Sequence, residues 1–281
     1  MIVVRDTTGG IEISMVRRHP GASFAGGAHV FPGGSLDATD RSPGLQALAC
    51  GLDDAAASAI LGVKEEGLAY WIAAVRECFE EVGLLFAHWA PQGLGTADRT
   101  AGRHSACRAA PHISFDDPAV AQRFVAHRRA LNDGTTTLEA ICREEGLHLA
   151  VRDLVSFSHW ITPEQVPRRF DTRFFVAQAP RGQVPLHDKG ETVDSEWMTP
   201  AEILRRRIAG EIDVILPTAR NVEAVGRFRS VTDLLASARA AGPPPTIQPR
   251  IVATDGEVRI VVPGEAGEGE LQGRPPFPLA R

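Results

Sequence analysis

Between about Glu65 and Val82 the chain encodes a helix whose two faces call for different surroundings. At 3.6 residues per turn, Leu68, Trp71, Ile72, Val75, Cys78, Phe79 and Val82 share one side, and Glu77, Glu80 and Glu81 share the opposite one. The first side must pack on a core, and Gly83 supplies a C-terminal stop. Ala73 and Ala74 lie beside the acids and are too small to cover them.

Paired glutamates on a helix ordinarily form a solvated face, but their placement here argues against that explanation. Glu77 and Glu81 are like charges at i, i+4, which costs about 0.2–0.5 kcal/mol. All three acids crowd the last two turns, and the helix dipole disfavours anions by about 0.3–1 kcal/mol in the final turn. Mg²⁺ or Mn²⁺ would reverse the sign of both penalties, because hard cations take carboxylate oxygens as ligands. Arg76 reaches Glu80 at i+4 and can steady the cluster without being a ligand.

The rest of the chain is that of an ordinary globular protein. Its 281 residues are 43% hydrophobic, enough for a sizeable core. With 30 Lys and Arg against 35 Asp and Glu, the net charge of -5 gives no overall attraction for nucleic acid or an anionic membrane. No apolar run is long enough for a transmembrane helix, and the N-terminus lacks the regions of a secretory signal. Cys50, Cys78, Cys107 and Cys142 form no C-x-x-C pair, so reduced thiols in a cytoplasmic protein are expected.

Along the chain, Ile2 to Val4 and Ile11 to Val16 predict a hairpin about Thr7-Thr8-Gly9-Gly10. The first strand starts at the first residues, which leaves room for sequence upstream. A glycine-rich stretch leads into Val30-Phe31 and a turn at Pro32-Gly33-Gly34. Residues 38–66 look inserted, with a short helix over Asp53 to Leu61. Leu84-Leu85-Phe86 predicts a strand and residues 91–112 an irregular loop. Two helices follow, one capped at Asp116-Asp117-Pro118 and one opened by a Thr136-Thr137-Leu138-Glu139 capping box. Strands are predicted at Val155 to Trp160 and Thr172 to Ala177, and helices from Thr199 and over residues 218–240. The expected organisation is one α/β domain over residues 1–241, with insertions at about 38–66 and 95–150. A Pro-rich link, a short hairpin and a mobile tail occupy residues 242–281.

Arg76-Glu77-Cys78-Phe79-Glu80-Glu81-Val82-Gly83-Leu84 resembles the second half of the Nudix box, R-E-U-x-E-E-x-G-U with U aliphatic, Cys78 being a mild departure. Phe31-Pro32-Gly33-Gly34 is similar to the glycine turn that opens the box. The full box reads G-x5-E-x7-R. Counting from Gly34, Asp40 stands at the glutamate position, and 35 residues (41–75) rather than seven precede Arg76. Asp40, Glu65 and Glu66 are the candidates to replace that acid, whose family role is mainly to orient the arginine. The resemblance implies a Nudix α/β/α sandwich with a mixed sheet, here carrying helical insertions and a C-terminal β-hairpin tail.

An insertion inside the box, the lead-in from Ala28 to Gly34 and the Trp160 to Phe175 segment resemble the branch containing the animal peroxisomal coenzyme A diphosphatases and their bacterial relatives. The ending Pro278-Leu279-Ala280-Arg281 is not a peroxisomal signal of the Ser-Lys-Leu type. The resemblance implies an enzyme with a small-molecule nucleotide substrate, coenzyme A or acyl-coenzyme A first, and ADP-ribose or NAD as the alternative. A non-catalytic nucleotide-binding module is a lower alternative, since such modules commonly lose box acids. By the same resemblance Glu77, Glu80 and Glu81 hold Mg²⁺ or Mn²⁺, Glu77 helps deprotonate water, the Gly34 carbonyl completes the shell and Arg76 supports them. Glu191 is the candidate for a later metal-binding acid, with Asp194 and Glu196 behind it. Arg168, Arg169 and Arg173 are candidates for a 3′-phosphate, as are Arg17, Arg18 and His19 after their strand, with rim residues as the ordinary alternative. His159 and Trp160 are candidates to stack on adenine, or else core, and His29 to touch substrate, or else to make a structural hydrogen bond. A homodimer is compatible with all of this.

Overall fold

The computed structural model describes residues 1–22, 25–90, 111–186, 192–254, 257–262 and 270–271. Strands β1 (Ile2–Thr7) and β2 (Gly10–Arg18) form the expected antiparallel hairpin, paired from Val4 opposite Ile13 to Thr7 opposite Gly10. β3 (His29–Val30) pairs with the far end of β2. After a 3₁₀ turn at Ala38–Arg41 come helices α1 (Pro43–Gln46), α2 (Asp54–Leu61) and α3 (Gly67–Val82). A small sheet joins β4 (Ala87–Trp89) to β5 (Leu147–Leu149), with α4 (Pro118–Asn132) and α5 (Leu138–Glu145) between them in sequence. The large sheet is completed by β6 (Val155–Ile161), β7 (Asp171–Gln178), β8 (Thr192–Met198) and β9 (Thr246–Ile247). Its order is β3-β2-β1-β7-β6-β9, with β8 on β2; β1 and β7 run parallel and β6 and β7 antiparallel.

Alternation along the strands creates two cores. Val3 and Val16 face a cluster with Trp71, Ile72, Val75 and Phe79 of α3, whereas Ile2, Val4, Ile13 and Met15 face one with Ile203, Val222 and Leu234. Those last three belong to helices α6 (Pro200–Ile208), α7 (Leu216–Val225) and α8 (Val231–Ala241). Helices therefore cover both faces of a mixed sheet, the α/β/α arrangement that was expected. After Pro243 the chain re-enters the sheet as β9, and β10 (Arg250–Thr254) and β11 (Glu257–Val261) pair as the predicted hairpin. Ile260 and Val262 pack with Trp160 and Leu216. Among the described residues no helix is long and apolar enough to cross a membrane.

Several local expectations need correction. α3 begins at Gly67 rather than near Glu65: Glu66 has φ 63°, outside the helix, and its side chain makes no cap. The orphan N–H groups are instead satisfied from α2. The Asp54 carboxylate accepts from Glu66 N and Leu68 N at 3.1 and 2.9 Å, and Ser58 Oγ accepts from Gly67 N at 2.9 Å. Leu84-Leu85-Phe86 is not a strand; these side chains are fully buried in the core, and pairing starts at Ala87. The second insertion helix is capped by Thr137, whose hydroxyl accepts from Ala140 N, not by Thr136; Glu139 turns instead to Arg143 and the Ser42 hydroxyl. Cys50 is disulfide-bonded, so wide sequence spacing did not ensure four reduced thiols, while Cys78 and Cys142 are free and buried. Of the expected loop at 91–112, residues 91–110 lie outside the described residues, as does most of the expected tail.

Gly67 sits so close to α2 that a Cβ there would overlap the Ser58 backbone. Gly67→Ala should cost about 1–3 kcal/mol through overpacking, measured by urea denaturation; an unchanged midpoint would mean that α2 and α3 are not locked together at this contact.

Candidate active site

Arg76 is a nearly buried cation surrounded by acceptors. Asp40, fully buried, takes its Nε and Nη2 at 2.8 and 2.9 Å in a bidentate pair. Nη1 bridges Glu77 and Glu80 at 2.9 and 2.8 Å, and Nη2 also donates to the Ser35 carbonyl at 2.8 Å. Burial works against the Arg76 charge, but the surrounding carboxylates, Asp40 foremost, outweigh it and hold its pKa above the ordinary value. Asp40 is itself fixed by a reciprocal cap on the 3₁₀ turn: its carboxylate accepts from Asp37 N at 2.7 Å, and that of Asp37 accepts from Thr39 N at 2.8 Å. Of the three acids considered for the upstream position, Asp40 is thus the one that grips the arginine. Glu65 is exposed, and Glu66 pairs with Arg41 at 2.8 Å.

The glycine turn approaches the same helix. Gly33, at φ 149°, donates its N–H to Glu81 at 2.8 Å, and Glu81 is buried rather than part of a solvated face. Gly34 lies so near Glu77 that a Cβ would overlap the carboxylate. Sequence spacing alone could not show that Gly33 rather than Gly34 takes the backbone contact. At the other end, Arg128 Nε and Asn132 Nδ2 of α4 donate to the Glu80 carbonyl at 2.9 and 3.2 Å. Phe124 of α4 packs edge-on against Phe79, with ring centroids 6.4 Å apart. The second insertion therefore supports the C-terminal end of α3 and brings a cation to its negative pole. Nothing in the sequence singled out Arg128.

Glu77, Glu80 and Glu81 offer the hard oxygen donors that Mg²⁺ or Mn²⁺ takes, with the Gly34 backbone alongside. In the structure Arg76 holds the first two and Gly33 the third. Among the described residues these three are not drawn into a group of donors within 4.8 Å of one another, so an ion would turn the carboxylates from their present partners. The donor set fits the ion by its chemistry.

Glu77 opens into a cavity of about 850 Å³. β1 pairs with β7 from Ile2, opposite Val176, and the ends of β2 and β7 extend past that pair. The cavity lies beside these strand ends, and among its lining residues the Met1 nitrogen donates to the Pro32 carbonyl. Of the predicted substrate residues, Arg18, Arg168, Arg173 and Trp160 line it. Arg173 lies 5.3 Å from the Tyr70 ring centre and donates to Leu61 O at 2.8 Å. Trp160 is buried in the core, where its Nε1 finds no partner among the described residues. Arg169 is exposed, bonded to Thr162 O at 3.3 Å, and does not line the cavity. Neither do Arg17, His19, His29 or His159. His29 is buried on the β2 edge, and burial lowers its pKa. His159 is engaged by Thr246 and Asp171 at 2.8 and 2.6 Å. Asp194 sits in β8 bonding Ser195 N, and Glu196 pairs with Arg206 at 2.8 Å. Glu191 lies outside the described residues.

A family model, the NUDT19 Nudix domain, matches residues 55–224. The chain belongs to this family. Among curated Nudix relatives, the acyl-coenzyme A diphosphatase NUDT19 of Homo sapiens is 28% identical over 250 residues, covering 80% of this chain and 63% of the human protein. That of Gallus gallus is 26% identical over 248 residues, covering 79% and 63%. The chain thus spans less than two thirds of the length of these relatives. A crystal structure of a NUDIX hydrolase from Alicyclobacillus acidocaldarius matches with a TM-score of 0.63 at 24% identity, covering 84% of this chain and 92% of that one, a likeness of fold.

Asp40→Ala would strip a buried Nudix-box arginine of its bidentate partner and should cost about 3 kcal/mol in urea denaturation; a loss within error would show that the other acceptors suffice. Glu80 tests the electrostatics from the other side. Burial pushes its carboxyl above the ordinary range, against the pull of Arg76. A raised native value means that the folded chain keeps a proton the unfolded chain has released. Without divalent ion, stability should therefore fall as pH rises from the ordinary glutamate value through the raised one. In EDTA, Glu80→Gln should match wild type in acid and exceed it at neutral pH; a gap independent of pH would reject this account.

Proposed function

We propose that the chain hydrolyses the diphosphate linkage of coenzyme A or an acyl-coenzyme A, giving adenosine 3′,5′-bisphosphate and a phosphopantetheine, with Mg²⁺ or Mn²⁺ held by Glu77, Glu80 and Glu81. The observation that carries this reading is the cavity itself. It joins Glu77 at one wall to Arg18, Arg168 and Arg173, with apolar surface from Phe31, Phe170 and Ile251 around them. Its volume is in the range of small-molecule sites. Kinship with relatives named acyl-coenzyme A diphosphatases supports the substrate class.

A bound divalent ion lowers the pKa of water and neutralises charge on the diphosphate. The chain supplies the rest. Arg76, fixed by Asp40, keeps Glu77 and Glu80 gathered before an ion binds, and the Gly33 N–H does the same for Glu81. Glu77, the one of the three that reaches the cavity, is the candidate to take a proton from the attacking water. Arg168 and Arg173 offer positive charge to substrate phosphates, and the apolar wall takes the uncharged parts of the molecule.

Coenzyme A, acyl-coenzyme A esters, ADP-ribose and NAD, each assayed with Mg²⁺ and with Mn²⁺, test the proposal. Coenzyme A compounds should release adenosine 3′,5′-bisphosphate, and Glu80→Gln should lower kcat by about a hundredfold or more, since the metal is worth several kcal/mol. Turnover of ADP-ribose without turnover of any coenzyme A compound rejects the substrate class. Unchanged turnover in Glu80→Gln rejects the site.

A further inference from the structure

A second group of ligand-type side chains lies away from the glutamates of α3. His88 in β4, His112, and Asp153 in the 3₁₀ turn Val151–Asp153 bring one ligand atom each to within 4.8 Å of one another. None of them lines the substrate cavity. The Nε2 atoms of His88 and His112 stand 3.8 and 2.8 Å from the same oxygen, Asp153 Oδ2. The two rings are stacked with centroids 4.8 Å apart and planes 1° from parallel.

The backbone explains the convergence. His112 bridges His88 on one side, while His148 of β5 stands directly opposite His88 on the other. Cross-strand partners share a face, so three imidazoles form a row, with Asp153 at one end of it. A simple histidine–aspartate hydrogen bond needs one imidazole; here a second, 94% buried and hydrogen-bonded to the Pro111 backbone, is stacked on the first with its Nε2 3.8 Å from the same oxygen.

We propose that His88, His112 and Asp153 form a binding site for a transition-metal ion, Zn²⁺ by chemical type, distinct from the carboxylate site for Mg²⁺ or Mn²⁺. Imidazole nitrogens with one carboxylate are the donors of zinc-type ions, whereas hard cations prefer oxygen alone. Bonds of about 2.0 Å in tetrahedral geometry set ligand atoms about 3.3 Å apart, and the observed 2.8 and 3.8 Å bracket that value. Access is from the Asp153 side, whose side chain is 42% exposed against 20% for His112 and 8% for His88. The ion would tie β4, which follows α3, to the chain at His112 and to the turn before β6. Its role is therefore structural.

Untagged full-length protein, stripped of metal with EDTA and returned to metal-free buffer, would be titrated with Zn²⁺ by calorimetry and with Co²⁺ by visible absorption. One tetrahedral equivalent, read from its cobalt bands and a higher Tm, should bind to wild type and equally to Glu80→Gln, apart from any ion that the glutamates of α3 take. His112→Ala and Asp153→Asn, at the more exposed positions, should each weaken binding at least tenfold and remove the rise in Tm. X-ray absorption of the wild-type zinc form, which needs no variant, should show imidazole scattering. Absence of a bound equivalent, an all-oxygen shell, or binding lost in Glu80→Gln but kept in His112→Ala overturns the proposal. None of these readouts depends on the reaction proposed for the cavity.

Discussion

Everything at the acidic helix depends on one buried cation. Arg76 cannot shed its proton, so burial is tolerable only if its donors are filled, and five contacts to Asp40, Glu77, Glu80 and Ser35 fill them. The same contacts are what gather the carboxylates. Two glutamates one turn apart would repel each other into solvent without a cation between them. Here their repulsion is converted into a fixed geometry, and the fixed side chains are those that face the cavity or stand just behind it. Stability and chemistry are thus coupled at one guanidinium.

Helix α3 is held at both ends by residues that are absent from its own sequence pattern. At its start, Asp54 and Ser58 of α2 accept the N–H groups that Glu66 leaves unsatisfied. At its end, Arg128 and Asn132 of α4 bond the Glu80 carbonyl. Both supports come from segments that interrupt the basic sheet-and-helix pattern. Glu139 of α5 also reaches back to the Ser42 hydroxyl, so the two inserted segments brace each other as well as the helix.

Local signals were legible in the sequence. The amphipathic period of α3, the stop at Gly83, the caps at Asp117 and Thr199 and the β1–β2 hairpin all follow from short-range chemistry, and the structure contains them. The acids and their arginine were legible for the same reason, since a helix brings i and i+4 together whatever surrounds it. What the sequence did not reveal depends on distant partners. Glu81 looks solvent-facing on a wheel and is buried because the turn at Gly33 folds onto it. Leu84 to Phe86 look like a strand and are core because α3 delivers them there. Arg18 and Arg173 share a cavity with Glu77 because the sheet brings β2 and β7 beside α3, which no motif encodes.

The position of Asp40 on its own small turn bears on how such a site tolerates change. The acid that orients Arg76 is not carried on the helix before it but arrives from a self-capped 3₁₀ turn, 36 positions earlier in the chain. Only the end point of that segment matters to the arginine, not its length. Closing 35 intervening residues rather than seven adds about 1.4 kcal/mol of chain entropy, a sum that a few buried side chains of α1 and α2 can offset. The spacing within the motif is therefore a soft variable, free to take up whole helices, whereas the depth and direction of one carboxylate are not.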